Sequence, residues 1–295
     1  MRAPEERSAV DRRVVVERAS RVVPRAQARP FVGRAFALPR VPGQAGMKGT
    51  MKPISVWVPG NPVTLTAPAR VADPWKRAVS AAVRAQWTGG FLDDACAVLL
   101  DFSLTPGRYP TTAVYNLLKA TVDGLSHVIF KPSPSGQPGP WSREDFWITQ
   151  LVARKRMADK RPGVAIELRP PGADLTQYPE PPVIEAFIRG SPPLWPGDEA
   201  GQRKVEAWRT RSKAVLIPAV PPPSQTRLAL AFRFQIEPER VNSSDLDNFC
   251  VPAAQAVVQA LFGDLSRGPS VQEIAAEKVA TSADNCGVAV QVRYI

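Results

Sequence analysis

Two aspartates, Asp245 and Asp247, stand one residue apart at the start of an apolar segment that is typical of a helix. In an extended backbone, residues i and i+2 point the same way, so the two carboxylates would project together. Like charges in close proximity repel each other unless a cation or a shared proton relieves them, and Mg²⁺ is commonly held by carboxylates together with waters and substrate phosphates. The pattern therefore indicates a site for a hard divalent cation. A helix cap beside a solvated turn acid is the alternative interpretation, since D-x-D is common in loops.

The chain is strongly basic, with 38 Lys and Arg against 27 Asp and Glu and a formal net charge of +11. Such an excess favours a polyanionic partner, nucleic acid before acidic lipid. An arginine-rich proteome would give the same composition without any such partner. Charge thus indicates a class of partner and says nothing about the fold.

Other kinds of site find little support in the composition. The three cysteines (Cys96, Cys250 and Cys286) are far apart and contain no C-x-x-C pair, which argues against a disulfide framework or a zinc site and favours a reducing, cytoplasmic compartment. The single histidine, His127, lies near the end of a predicted helix, where a structural role is typical. No run of 18 apolar residues occurs, so we expect no membrane span.

The same order of segments occurs twice along the chain. A basic amphipathic helix with Trp75 is followed 41 residues later by Asn116, and its counterpart with Trp208 is followed 40 residues later by Asn248. Each Asn then precedes a closing Phe, Phe130 or Phe262, by 14 residues. Matches in the same order at the same spacing indicate an internal duplication.

The duplication predicts the domain organisation and the fold class. Residues 1–50 form a basic N-terminal extension that we expect to be disordered, 51–168 a first module, 169–182 a proline-rich linker and 183–295 a second module. The pattern of apolar residues in each module predicts the order strand, helix, strand, helix, strand, strand. We therefore expect an α/β (mixed α+β) fold with a mixed sheet and two helices in each module.

The segment "SDLDN", a following helix and the later strand "VQEIAAEKV" resemble the RusA-type Holliday junction resolvases. The resemblance covers most of residues 53–294. It implies a Mg²⁺-dependent endonuclease, for which Mn²⁺ would also serve, that acts on four-way DNA junctions. Members of that family work as homodimers, so the duplicated chain would be an intramolecular pseudo-dimer of two RusA-like modules.

The resemblance assigns roles unevenly to the two modules. In the second, Asp245, Asp247 and Asn248 fall on the D-x-D-N motif as metal ligands and their support, while the family's lysine and helix aspartate are replaced by Val251 and Gln255. Asp264 or Glu273, neither of which lies on the motif, could serve as a displaced third ligand.

In the first module the losses are complementary. Ala113 and Tyr115 occupy the D-x-D positions, so this module alone should be inactive. The residues that are kept are Asn116, Lys119, Asp123 and the acidic pair Glu144 and Asp145.

Three interpretations remain open from the sequence. The second module could cut alone with Asp245, Asp247 and Asp264; the site could be composite, with Glu144 and Asp145 facing the second module's acids; or catalysis could have lapsed. The first two describe a structure-selective endodeoxyribonuclease that resolves or nicks Holliday junctions or other branched DNA in recombination and repair. The third describes a scaffold, for example in a phage or mobile-element complex, that only binds branched or duplex DNA. Lys119, Arg154, Lys155 and Arg156 are the candidate DNA-binding residues.

Overall fold

The computed structural model describes residues 51–132, 141–158, 161–172, 181–194, 199–216 and 226–295. The predicted N-terminal extension, residues 1–50, lies outside the described residues. So do positions 173–180 within the predicted linker, whose first residue, Arg169, is the last residue of a strand.

The described chain alternates strands and helices in the order that the repeat predicts. The first half contains β1 (Ile54–Pro59), α1 (Ala69–Gln86), β2 (Cys96–Leu104), a 3-10 turn (Val114–Leu117), α2 (Leu118–Ile129), a second 3-10 turn (Asp145–Trp147), β3 (Ile148–Met157) and β4 (Gly163–Arg169). The second half contains β5 (Ile184–Arg189), α3 (Glu199–Leu216), β6 (Leu228–Ile236), the one-turn helix α4 (Pro238–Val241), α5 (Leu246–Phe262), a 3-10 turn (Leu265–Ser270), β7 (Val271–Ala280), a 3-10 turn (Ala283–Asn285) and β8 (Gly287–Tyr294). The expected mixed α+β fold is confirmed.

All eight strands belong to one sheet, with the order β1-β4-β2-β3-β7-β6-β8-β5. Read outward from the centre, each half has the same order: third strand, second, fourth and first. The parallel pairs β2–β3 and β6–β7 even share a register shift at the same place, between Cys96 and Ala97 and between Leu228 and Ala229. The two halves therefore repeat one topology.

The halves are joined at the centre of the sheet, where β3 and β7 pair antiparallel. The register places Gln150 opposite Glu277 and Arg154 opposite Glu273. The two predicted modules thus share one continuous sheet. The 3-10 turns that precede β3 and β7 are also brought to this seam.

Alternating apolar residues bury one face of the sheet beneath the helices. In β4, Val164, Ile166 and Leu168 are buried, and β8 repeats the pattern. Helix α1 packs on α2 and α3 packs on α5. Trp75 and Trp208, which occupy matched positions in the repeat, are both buried. No helix among the described residues combines the length and the hydropathy needed to cross a bilayer.

Candidate metal centre

The first two carboxylates of the centre lie at the start of α5. Asp245 is the N-cap residue in an extended conformation, and Asp247 lies in the first helical turn. The helix begins at Leu246, six residues before Pro252. The two acids are therefore positioned by the entrance to a helix, where the exposed backbone N–H groups favour negative charge.

The third carboxylate comes from the other half of the chain. Asp145 begins the 3-10 turn that leads into β3, and the pairing of β3 with β7 carries this turn to the start of α5. One oxygen from each of Asp145, Asp245 and Asp247 lies within 4.8 Å of the others. Three hard oxygen donors at this spacing could hold a metal ion.

Burial distinguishes the three acids. Asp145 and Asp247 are buried, whereas the side chain of Asp245 is 25% exposed. One oxygen of Asp247, Oδ2, is buried and has no hydrogen-bond donor among the described residues. A buried carboxylate oxygen without a donor is costly unless a cation compensates it. The cluster is thus closed on the protein side and reached from solvent beside Asp245.

Lys119, on α2, places its ammonium beside the cluster. Its Nζ lies 3.0 Å from Asp123, and 3.6, 3.8 and 3.9 Å from Asp247, Asp245 and Asp145. The last three distances exceed an ordinary hydrogen bond, so Lys119 is held mainly by Asp123. Asp123 is shared with Lys76 at 2.7 Å. The lysine therefore neutralises only part of the charge of the three aspartates.

The pKa values of the aspartates and of Lys119 are shifted by this excess of negative charge and by burial. Burial, followed by the charge of Asp245, raises the pKa of Asp145 well above its usual value. Burial also raises the pKa of Asp247 to about 6, although Lys119 opposes the shift. For Lys119, burial lowers the pKa but the four neighbouring carboxylates outweigh it, so the net shift is upward. A divalent cation would relieve the repulsion that these shifts reflect.

Two further residues hold the ligands in place. Asn248 Nδ2 donates a 2.9 Å hydrogen bond to Asp245 Oδ2 and so orients that carboxylate. Lys278, buried on β7, donates from Nζ to the carbonyls of Val241 (2.8 Å), Ser244 (2.7 Å) and Phe146. The Lys278 ammonium thereby ties the turn before Asp245 to the turn that contains Asp145. Sequence reasoning assigned it no role, although the lysine of "VQEIAAEKV" was part of the resemblance.

Lys155, a predicted DNA-binding residue, has the same structural role in the other half. It is buried on β3, and its Nζ donates to the carbonyls of Thr112, Pro269 and Tyr109 at 2.6, 2.6 and 3.1 Å. Burial lowers the pKa of both Lys155 and Lys278 to about 8. The Lys155 ammonium is thus used inside the protein and is not presented to a ligand on the surface.

The remaining predicted residues lie away from the cluster. Glu144 precedes Asp145 but does not belong to the three-carboxylate group. Asp264 lies beyond the end of α5, where it accepts hydrogen bonds from the backbone N–H and hydroxyl of Ser266. Arg154 and Arg156 are exposed and pair with Glu273 at 2.8 Å and with Asp101 at 3.3 Å. The structure therefore brings together Asp145, Asp245, Asp247, Asn248 and Lys119, and leaves the others outside.

A pocket of about 390 Å³ opens beside Lys119 and Asp123. Lys76 and Trp141 also line it, and the Lys76 ammonium lies 5.3 Å from the centre of the Trp141 ring. The Trp141 ring also contacts His127, whose Nδ1 lies 2.8 Å from Arg143 Nη2. His127 therefore supports the pocket wall, in keeping with the structural role predicted for it.

No family model, no curated protein and no solved structure matches the chain. The resemblance to the RusA-type resolvases therefore stays a prediction that rests on the motif residues.

Proposed function

We propose that this chain is a Mg²⁺-dependent endodeoxyribonuclease that cuts branched DNA at a composite site divided between its two halves. The observation that carries the proposal is the convergence of Asp145, Asp245 and Asp247 within 4.8 Å. These acids come from separate copies of the repeat, and each copy alone lacks part of the set. The geometry therefore favours the composite interpretation over a site confined to the second module.

Each residue of the site has a role that follows from its position. Asp145, Asp245 and Asp247 would hold Mg²⁺, and Asn248 keeps the Asp245 carboxylate turned toward it. The ion would supply Lewis-acid activation of a water and of the scissile phosphate. Hydrolysis forms a bond between the water oxygen and phosphorus and breaks the bond from phosphorus to the 3′ oxygen, which takes up a proton. Lys119, 3.6–3.9 Å from the three ligands, would offset charge on the phosphate once the ion occupies the carboxylates.

Charge supports a polyanionic substrate, and its distribution is uneven. Seven of the eleven net positive charges belong to residues 1–50. The remaining 245 residues carry an excess of only four, and the site itself is locally acidic. We infer that the N-terminal segment contributes much of the non-specific attraction to DNA, while the three-aspartate cluster contributes the chemistry. The preference for branched DNA rests on the RusA resemblance and suits a molecule whose two halves repeat one topology.

The test compares cleavage of an end-labelled four-way junction and of a linear duplex of the same sequence, with Mg²⁺ or with EDTA. The proteins are the full chain and the variants Asp145→Asn, Asp245→Asn and Asp247→Asn. Asp264→Asn is the matched control, because it removes an acid of the second half that lies outside the cluster. We expect Mg²⁺-dependent cleavage of the junction, lost in each of the three site variants and kept in the control.

Other outcomes would discriminate among the alternatives. Cleavage that survives Asp145→Asn but not Asp247→Asn would indicate a site within the second module alone. Tight, salt-sensitive junction binding without cleavage by any protein would indicate a DNA-binding scaffold. Cleavage that persists in Asp245→Asn and Asp247→Asn would reject this metal centre.

A further inference from the structure

The duplicated topology predicts a second centre on the other side of the seam, and the structure shows what occupies that position. The counterparts of Asp245 and Asp247 are Ala113 and Tyr115, since Asn116 matches Asn248. The counterpart of Asp145 is Gly268, because each stands three residues before the matched strand residues Ile148 and Val271. We call Ala113, Tyr115 and Gly268 the blocked site.

The backbone framework of the blocked site is intact. Lys155 ties Thr112 and Tyr109 to Pro269, just as Lys278 ties Ser244 and Val241 to Phe146. These acceptors occupy equivalent positions in the two halves. At two equivalent places, a buried lysine therefore connects a turn of one half to a turn of the other half.

The blocked site, in contrast, lacks the side chains that could bind a metal ion. None of its three residues carries a carboxylate, and Val251 replaces Lys119. The buried Tyr115 ring fills the space: a Cβ placed on Gly268 would lie 2.2 Å from Tyr115 Oη and 3.4 Å from Ala113 Cβ. An aspartate cannot be accommodated at position 268 while Tyr115 is present. Among the described residues, Asp145, Asp245 and Asp247 form the one carboxylate cluster suited to a metal ion.

The ion pair beside the centre is altered in the same way. Lys76 binds Asp123 at 2.7 Å next to the aspartate cluster. At the equivalent place in the second half, Arg209 donates a 2.7 Å hydrogen bond to the amide oxygen of Gln255. The aspartate that binds Lys119 is thus replaced by a neutral glutamine. This is expected because the residue equivalent to Lys119 in the second half, Val251, carries no charge.

We propose that the chain makes one incision per binding event, so that its product is nicked branched DNA and not a pair of resolved duplexes. The inference rests on the proposed nuclease function and concerns the outcome of that reaction. Resolution of a four-way junction requires cuts in two strands, and a second cut by this chain requires release and rebinding in the opposite orientation. The nicked product must otherwise be consumed by a second nuclease or by a strand-sealing reaction.

A supercoiled plasmid that extrudes a cruciform separates one cut from two. A single nick releases the supercoiling and the cruciform is reabsorbed, so only two cuts within one binding event give linear DNA. With the full-length chain at no more than one molecule per plasmid, we expect nicked circles to accumulate while linear DNA stays at the level of the protein-free control. Tyr115→Phe, which alters the blocked site without touching the aspartates, should give the same products.

The outcomes are distinguishable from failure of the nuclease proposal. Linear DNA as the main product would overturn the one-incision inference and leave the nuclease function standing. No product of either kind would overturn the nuclease function itself. As a measurement independent of cleavage, calorimetric titration with Mn²⁺ should show that Asp247→Asn loses all saturable binding. Retention of half of the binding sites in that variant would show that the blocked site holds an ion, and would also overturn the inference.

Discussion

Asp247→Asn should stabilise the metal-free protein, because the native carboxylate is buried among like charges. The unfolded chain releases the Asp247 proton near pH 4, whereas burial raises the pKa in the folded protein to about 6. Between these values the folded state holds more protons, so its stability falls as pH rises and reaches a constant penalty above pH 6. A difference of about two pKa units corresponds to about 3 kcal/mol. This difference already includes the attraction of Lys119, which opposes the shift, so we expect a gain of about 1–3 kcal/mol in the variant.

Urea unfolding in EDTA, followed at pH 4 and pH 7.5, measures this gain. The variant and the native protein should have similar stability at pH 4 and diverge at pH 7.5, with the variant more stable. Mg²⁺ should then stabilise the native protein and leave the variant unchanged, since a ligand that binds only the folded state raises its stability. Asp264→Asn, at an exposed position, controls for the loss of a negative charge. If Asp247→Asn is less stable than the native protein in EDTA at pH 7.5, the repulsion inferred for the cluster is not present.

Two further predictions use the internal duplication as a control. Lys278→Met and Lys155→Met each remove an ammonium that donates to three backbone carbonyls and should each destabilise the fold by at least about 2 kcal/mol. Only Lys278→Met should also weaken Mn²⁺ binding, measured by calorimetry. Equal loss of Mn²⁺ affinity in both would contradict the positioning role of Lys278. Gly268→Ala should lower the unfolding free energy by about 1–3 kcal/mol because its Cβ meets Tyr115 Oη, and adding Tyr115→Phe should recover much of that loss in thermal denaturation. Additive destabilisation in the double variant would show that the two side chains do not collide.

The sequence predicted those features of the site and fold that depend on residues close together in the chain. The D-x-D-N motif predicted Asp245, Asp247 and Asn248 as a group, and the structure places them together at the start of α5. The repeat, recognised by matched tryptophans and spacings, predicted the order of strands and helices in each half. Apolar periodicity sufficed for these elements because it reflects burial along a single strand or helix.

The burial of Lys155 was not predicted from its neighbours in the sequence. Within the basic run around β3 it resembles its neighbours Arg154 and Arg156, yet it is buried while they are exposed. Alternation along a strand sends successive side chains to opposite faces, and the turns that meet the Lys155 ammonium come from both halves of the chain. Its acceptors are backbone carbonyls, which carry no sequence signature.

By itself, the sequence determined the residue types available to the centre and the fact that each repeat lacks part of the set. It left open whether the acids of one repeat face those of the other. The tertiary structure decided this through the antiparallel pairing of β3 with β7, a contact between segments such as Arg154 and Glu273 that are 119 residues apart. Strand pairing at that separation depends on the register and burial of the whole sheet, which no local motif encodes. The same pairing also placed Gly268 against Tyr115, an approach between the two halves that the sequence did not predict.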